Sequence, residues 1–209
     1  MSIESLELPP SIPTRGNRFS RGLGRFVLRV IGWKIDGVLP NYPKMVVIVA
    51  PHTSNWDFPL GVTGLFALDV KLTFLAKHAL FKPPIGAIMR WLGGVPVKRV
   101  VREDTVAIEI GEFRRNDRWV LALAPEGTRK FVEGWRSGYY HVAVGAPAPI
   151  IPVGFDYSTK TILIMEAFEP TGNFEADERF LRGLYRKSWA LKPENFYEAS
   201  LQLPLSVIS

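Results

Sequence analysis

The sequence predicts a single α/β domain, with a mostly buried sheet of about five or more strands flanked by helices and an amphipathic helix at the N-terminus. Two patterns carry this expectation. Short apolar runs bounded by turn residues recur at 45–50, 71–76, 119–124, 149–155 and 161–166, and runs of that length read as buried strands. Between them lie stretches with helical spacing, such as Ile85, Ile88, Met89 and Leu92, then Val106, Ala107, Ile110 and Phe113. Strands alternating with helices imply a layered architecture. A chain of 209 residues that is 47% hydrophobic and 22% charged is long enough for one sizeable core and too short for two comfortable ones. We find no internal repeat, low-complexity tract or linker.

Residues 1–14 read as an N-terminal tail. The stretch holds two Glu and three Pro with no apolar core, unlike a secretory signal. Residues 15–34 form the next unit. Six of the chain's 26 Lys and Arg fall within residues 1–34 against two Glu, so this short segment carries +4 of the formal net charge of +6. On a helix advancing about 100° per residue, Arg15, Arg18, Arg21, Arg25 and Arg29 fall within roughly a third of the circumference. Phe19, Leu23, Phe26, Val27, Val30 and Ile31 take the other side, with Trp33 at the boundary and Leu28 as an exception on the basic edge. A helix of this kind lies in a membrane interface, apolar face in the acyl boundary and cations among anionic head groups. The same pattern also suits a surface helix packed on its own domain, and one helix can do both.

Residues 35–209 make up the main domain. The strand at 45–50 leads through Pro51 into HTSNWD, whose Ser, Asn and Asp suit a helix start, so His52 lies at the edge of the sheet and Asp57 in the first turn of a new helix. A later helix ends near Gly145 and the strand PIIPVGF follows. Two stretches invite a membrane-span reading. Residues 137–155 hold no charge over 19 positions, but Pro147, Pro149 and Pro152 interrupt them; residues 58–68 number only 11 and include Pro59, Gly61 and Gly64. Neither reads as a spanning helix. The tail beyond Trp189 carries no usable pattern.

A basic chain implies an anionic partner, either nucleic acid or a membrane surface. Outside residues 1–34 the charge is nearly balanced and no nucleic-acid recognition motif is apparent, which favours the membrane. The chain has no Cys, so disulfides, thiolate metal sites and a Cys nucleophile are excluded. The three histidines, His52, His78 and His141, show no ligand spacing. No metal is expected, and His78 and His141 read as structural.

Chemistry is therefore left to His, Ser, Lys and the carboxylates. On an ideal helix, positions five apart are about 140° out of phase, so His52 and Asp57 meet only if His52 lies in the turn before the helix. An Asp that accepts a hydrogen bond from one imidazole nitrogen makes the other a competent general base. On spacing alone the pair also describes an incidental polar turn. GGVPVKR (93–99), two glycines followed by a strand-like run ending in Lys98 and Arg99, and APEGTRK (124–130) sit at strand ends or connecting loops, where α/β sheets place ligands. Their arginines suit a phosphate, whose oxygens match the guanidinium fork.

Taken in order, His-x4-Asp, a glycine block ending in Arg99, Pro-Glu-Gly-Thr-Arg and the Pro-containing strand PIIPV resemble the glycerolphosphate and lysophosphatidate acyltransferase family. FLAKHALFKPPIGAIMRWLGG and GWRSGYYHVAVGAPAPIIPV resemble the family's intervening segments, so the similarity covers roughly residues 45–157. HTSNWD, APEGTRK and Asp156-Tyr157 resemble a compact bacterial branch without spanning helices. The resemblance implies His52 as base and Asp57 as its orienting partner. It implies Arg99, Glu126, Gly127, Thr128 and Arg129 as the groups that hold the glycerol-phosphate part of the acceptor, with Pro152 in the final block. Pro96 and Lys98 stand where the family usually has an aromatic and an acid, so the acceptor head group can differ. Trp56, just before Asp57, serves packing or the acyl chain.

The implied reaction moves a fatty acyl group from a thioester, acyl-coenzyme A or acyl carrier protein, to the hydroxyl of a lysophospholipid such as 1-acylglycerol-3-phosphate, with no cofactor. Lacking Cys and a G-x-S-x-G elbow, the chain is expected to transfer directly rather than through an acyl-enzyme. The expected location is peripheral, on the inner face of the cytoplasmic membrane. The rivals are acylation of a different lysolipid, a basic nucleic-acid-binding module, and a non-catalytic membrane scaffold.

Overall fold

The computed structural model describes residues 8–97 and 102–199. Seven strands form one sheet: β1 (Lys34–Asp36), β2 (Lys44–Ala50), β3 (Thr73–Lys77), β4 (Gly94–Val97), β5 (Trp119–Leu123), β6 (Ile150–Asp156) and β7 (Thr161–Ile164). Their order is β1-β7-β6-β2-β5-β3-β4. Pairing is parallel throughout except for β6 with β7. Among the described residues six α-helices flank the sheet: α1 (Arg18–Ile31), α2 (Asp57–Leu68), α3 (Ile85–Trp91), α4 (Arg102–Arg115), α5 (Gly138–Gly145) and α6 (Phe174–Gly183). The five sequence-derived strands correspond to β2, β3, β5, β6 and β7. The short strand β1 and helix α6 are additional, and β4 falls in the strand-like run of GGVPVKR.

β2 and β6 are near-continuous apolar runs because helices cover both faces of the sheet. One apolar layer joins Leu28 of α1 and Leu60 and Ala67 of α2 to Met45, Val47, Ile151 and Val153. The opposite layer joins Phe113 of α4, Tyr139 and Val142 of α5 and Leu181 of α6 to Val46, Ile48 and Ile150. α3 lies between the parallel neighbours β3 and β4 in the chain and meets α2, where Trp91 packs edge to face on Phe66 at 5.7 Å. Pro152 lies inside β6 without breaking the sheet. It falls between the Val153↔Ile164 pair and the Ile150↔Phe168 bridge, where two residues of β6 face three of the segment after β7 and a missing N–H is tolerated.

The N-terminal helix differs from expectation in two ways. It begins at Arg18 and ends at Ile31 rather than filling 15–34, because Asn17 caps the amides of Phe19 and Ser20 and Gly32 closes the other end at φ 74°. Arg15 therefore precedes the helix. Leu28, the exception on the helical wheel, is fully buried, and the seam against α2 is made of Ser20, Gly24 and Leu28. A Cβ on Gly24 would fall 2.5 Å from the Ala67 amide nitrogen. This close approach leaves Phe19, Phe26 and Val30 outside, at 79%, 62% and 67% exposure. Among the described residues no helix is long and apolar enough to cross a membrane.

Candidate active site

The carboxyl ends of parallel β2 and β5 bring two loops side by side. β2 occupies the middle of the sheet, so His52 lies at the sheet's carboxyl edge, just past the end of a central strand. The next residues turn into α2, and Asp57 is its first residue. His52 Nδ1 lies 3.1 Å from Asp57 Oδ2, with the two side chains 22% and 1% exposed. The Ser54 N–H donates to the same oxygen at 2.9 Å, and the Tyr157 hydroxyl donates to Asp57 Oδ1 at 2.7 Å. Donors on both oxygens suit the ionised carboxylate, which can only accept. With Asp57 accepting, Nδ1 is the donor of this contact and Nε2 is the ring nitrogen left for other partners. Burial, and then the bond to Asp57, holds the Tyr157 phenol protonated well above its ordinary range. Tyr157 is itself braced edge-on by Trp33 at 4.9 Å.

Glu126, in the turn after β5, is buried and accepts the backbone N–H of His52 at 3.0 Å. Its Oε2 has no hydrogen-bond partner among the described residues. Burial raises its carboxyl to about 7, and the neighbouring Asp57 adds to this against the opposing pull of His52. An acid with a raised folded pKa contributes stability fully present below its unfolded value of about 4.5 and lost as pH rises through about 7. Thermal stability is expected to fall between about pH 4.5 and 7, by on the order of 3 kcal/mol from this group. Glu126→Gln keeps the acceptor for His52 and should flatten the slope of Tm against pH; an identical slope in both proteins would contradict the buried-acid reading.

The rest of the turn faces outward. Gly127 stands at φ 63°, a left-handed conformation that favours glycine. A Cβ there would lie 2.4 Å from Nε of Arg136. Thr128 Oγ1 accepts the Lys130 N–H at 3.3 Å, and the Arg129 side chain is exposed. Arg99 lies outside the described residues. Of the N-terminal arginines, Arg15 donates to the carbonyls of Trp91 and Leu92 and Arg25 to that of Ala67. Arg18 and Arg29 are exposed and Arg21 half-buried. His78 begins a 3-10 turn, and His141 stacks on Phe174.

Beneath α2, His52 and Asp57 line one part of an apolar cavity of about 240 Å³. Phe58, Leu65, Phe74 and Phe155 contribute to its wall, and Gly61 and Gly64 keep the helix side open. A Cβ on Gly64 would lie 2.9 Å from Ile162 Cδ1. Two site residues escaped sequence reasoning. Tyr157 arrives from a strand end 100 positions beyond Asp57, and Arg136 carried only its placement in GWRSG between two glycines. No group of three or more His, Asp or Glu able to hold a metal occurs among the described residues.

Fold and site define an α/β protein with a carboxylate-oriented histidine at the head of an apolar cavity, an arrangement suited to general-base chemistry beside a long apolar group. The acyltransferase family pattern matches residues 38–156, and the chain belongs to that family. It is 29% identical over 152 residues to the 1-acyl-sn-glycerol-3-phosphate acyltransferase of Salmonella typhimurium, covering 69% of this chain and 60% of that protein. It is 31% identical over 153 residues to the human 1-acyl-sn-glycerol-3-phosphate acyltransferase beta, covering 63% and 53%. The chain thus spans less than two-thirds of the length of these relatives. The crystal structure of the 1-acyl-sn-glycerophosphate acyltransferase PlsC from Thermotoga maritima shares the fold, with TM-score 0.58 and 21% identity over 77% of this chain and 72% of that one.

Proposed function

We propose that the protein transfers a fatty acyl group from an acyl thioester to the free hydroxyl of 1-acylglycerol-3-phosphate, a step of phospholipid biosynthesis, with His52 as general base. The observation that carries this reading is the His52–Asp57 couple, 3.1 Å apart at the head of the apolar cavity. The names of the relatives at 29% and 31% identity support the acceptor. The acyl chain lies in the cavity with its carbonyl beside His52. As the acceptor oxygen bonds to that carbonyl, Nε2 takes the hydroxyl proton, and Asp57 stabilises the imidazolium. Collapse of the tetrahedral intermediate breaks the carbon–sulfur bond, and the imidazolium returns its proton to the departing thiolate. Acyl-coenzyme A and acyl carrier protein thioesters present the same reacting bond.

Arg129, with Arg99, Gly127 and Thr128, holds the acceptor phosphate; Glu126, expected among them, is buried and accepts the His52 backbone N–H instead. Arg129→Ala is expected to raise the acceptor KM about ten-fold or more, the loss of a charge-assisted hydrogen bond, while leaving the donor KM unchanged. Initial rates over a panel of lysolipids, with coenzyme A and acyl carrier protein donors in parallel, check this. Equal effects on phosphorylated and non-phosphorylated acceptors would remove Arg129 from phosphate recognition. The panel also identifies acceptor and donor, because a different lysolipid used faster than lysophosphatidate would reassign the substrate. The exposed apolar side of α1, flanked by its arginines, seats the protein on the inner face of the cytoplasmic membrane, where both lipid substrates concentrate.

A further inference from the structure

A second cleft, of about 440 Å³, opens at the opposite pole of the sheet. Its walls include Thr73 at the start of β3, Gly93 before β4 and Trp119 at the start of β5. His52 follows the carboxyl end of β2, which runs parallel to β5. The two sites are therefore separated by the length of the sheet, and this cleft cannot serve the reacting hydroxyl. Its lining contains Arg15, Lys71, Arg90 and Arg118 and, among the described residues, no carboxylate. The acids nearest in sequence lie outside the lining: Asp69 accepts the Asn17 amide and faces Arg15, and Asp117 is exposed.

Two of the cations are anchored. Arg15 donates to the Trp91 carbonyl at 3.1 Å and lies over the rings of Phe66 and Trp91 at 5.2 and 4.8 Å. Arg90 lies over Phe81 at 5.6 Å. Lys71 and Arg118 are exposed and in no ion pair among the described residues. Cations collected without carboxylates repel one another and gain from a shared anion. The surroundings identify the kind of anion. Trp91 and Ile88 of α3 are more than half exposed, as is Phe19 at the start of α1 just beyond the cleft residue Asn17. A polar head in the cleft would therefore have apolar surface beside it for a tail.

We infer that this cleft is a second, non-catalytic site for an anionic phospholipid, which binds the headgroup phosphate among Arg15, Lys71, Arg90 and Arg118 and lays its chains along α1 and α3. The inference shares with the proposed function only the presence of a membrane. A headgroup held here tethers the pole of the sheet remote from His52, adding a fixed point to the attachment through α1.

The test is calorimetric titration of the full chain with dihexanoyl phosphatidylglycerol below its micelle concentration, alongside dihexanoyl phosphatidylcholine, glycerol 3-phosphate and inorganic phosphate. The double variant Lys71→Gln/Arg118→Gln is expected to bind the phosphatidylglycerol about ten-fold or more weakly, with unchanged turnover on micellar substrate. Lys71→Glu should weaken binding similarly, which guards against an effect peculiar to the double variant. Equal affinity in wild type and variants would overturn the site. Inorganic phosphate binding as tightly as the lipid would overturn the lipid assignment. Vesicle co-sedimentation of Phe26→Ser tests the α1 attachment separately: unchanged vesicle binding there would sink the α1 reading, while the titration still decides the cleft.

Discussion

His52→Ala is expected to lower turnover by about 10²–10⁴-fold, the usual contribution of a positioned general base, while leaving the melting temperature close to that of the wild type. Near pH 7 an alcohol is a poor nucleophile until its proton is accepted as the new bond forms. Among the described residues, His52 is the only histidine lining the apolar cavity, and its Nδ1 is committed to Asp57. Removing the ring deletes the proton acceptor but keeps the backbone N–H that Glu126 accepts, so the loop after β2 retains its tie to the turn after β5. The imidazole is only partly buried, and its loss leaves no large cavity. Steady-state rates with saturating donor and acceptor read the effect, and thermal unfolding checks the fold. Wild-type-like transfer by this variant would remove His52 from the chemistry.

Asp57→Asn should be nearly as damaging, by about 10²–10⁴-fold, for an electrostatic reason. The carboxylate accepts from His52, from the Ser54 amide and from the Tyr157 hydroxyl, so its position is fixed by three partners. Asparagine preserves the shape but presents one donor group. If its NH2 faces His52, the imidazole must turn its lone pair toward residue 57 and Nε2 becomes the protonated nitrogen, a tautomer that cannot act as base. If its NH2 faces Tyr157, the tautomer survives, but the charge that stabilises the developing imidazolium is lost. Groups that act as one unit lose activity once. The His52→Ala/Asp57→Asn double variant is therefore expected to be little slower than His52→Ala alone. Multiplicative losses in the double variant would show that the two residues act independently.

The couple was legible because both partners flank one strand-to-helix turn, and turn chemistry is local in sequence. What surrounds it is not local. Tyr157 reaches Asp57 only because β6 and β2 are neighbours in the sheet, a pairing that no spacing within HTSNWD encodes. Glu126 sat in a recognisable turn, yet its burial follows from β2 and β5 running side by side with their carboxyl ends aligned. Periodicity separates an apolar from a basic side of α1 but does not say which surface packs. Docking runs through Ser20, Gly24 and Leu28, because a glycine lets two helices approach more closely than a Phe would. β1, three residues long, was too short for any alternation to register. β4, only four residues, surfaced as a strand-like run without a place in the sheet.

The measurement closest to the central claim is single-turnover transfer of a radiolabelled acyl group from its thioester to 1-acylglycerol-3-phosphate by the purified chain, with His52→Ala protein as the blank. Label is expected to appear in diacylglycerol phosphate at a rate about 10²–10⁴-fold above the blank, without passing through a labelled protein intermediate. Label that leaves the thioester equally fast in both proteins, or that accumulates on the chain before reaching lipid, would contradict direct transfer assisted by His52.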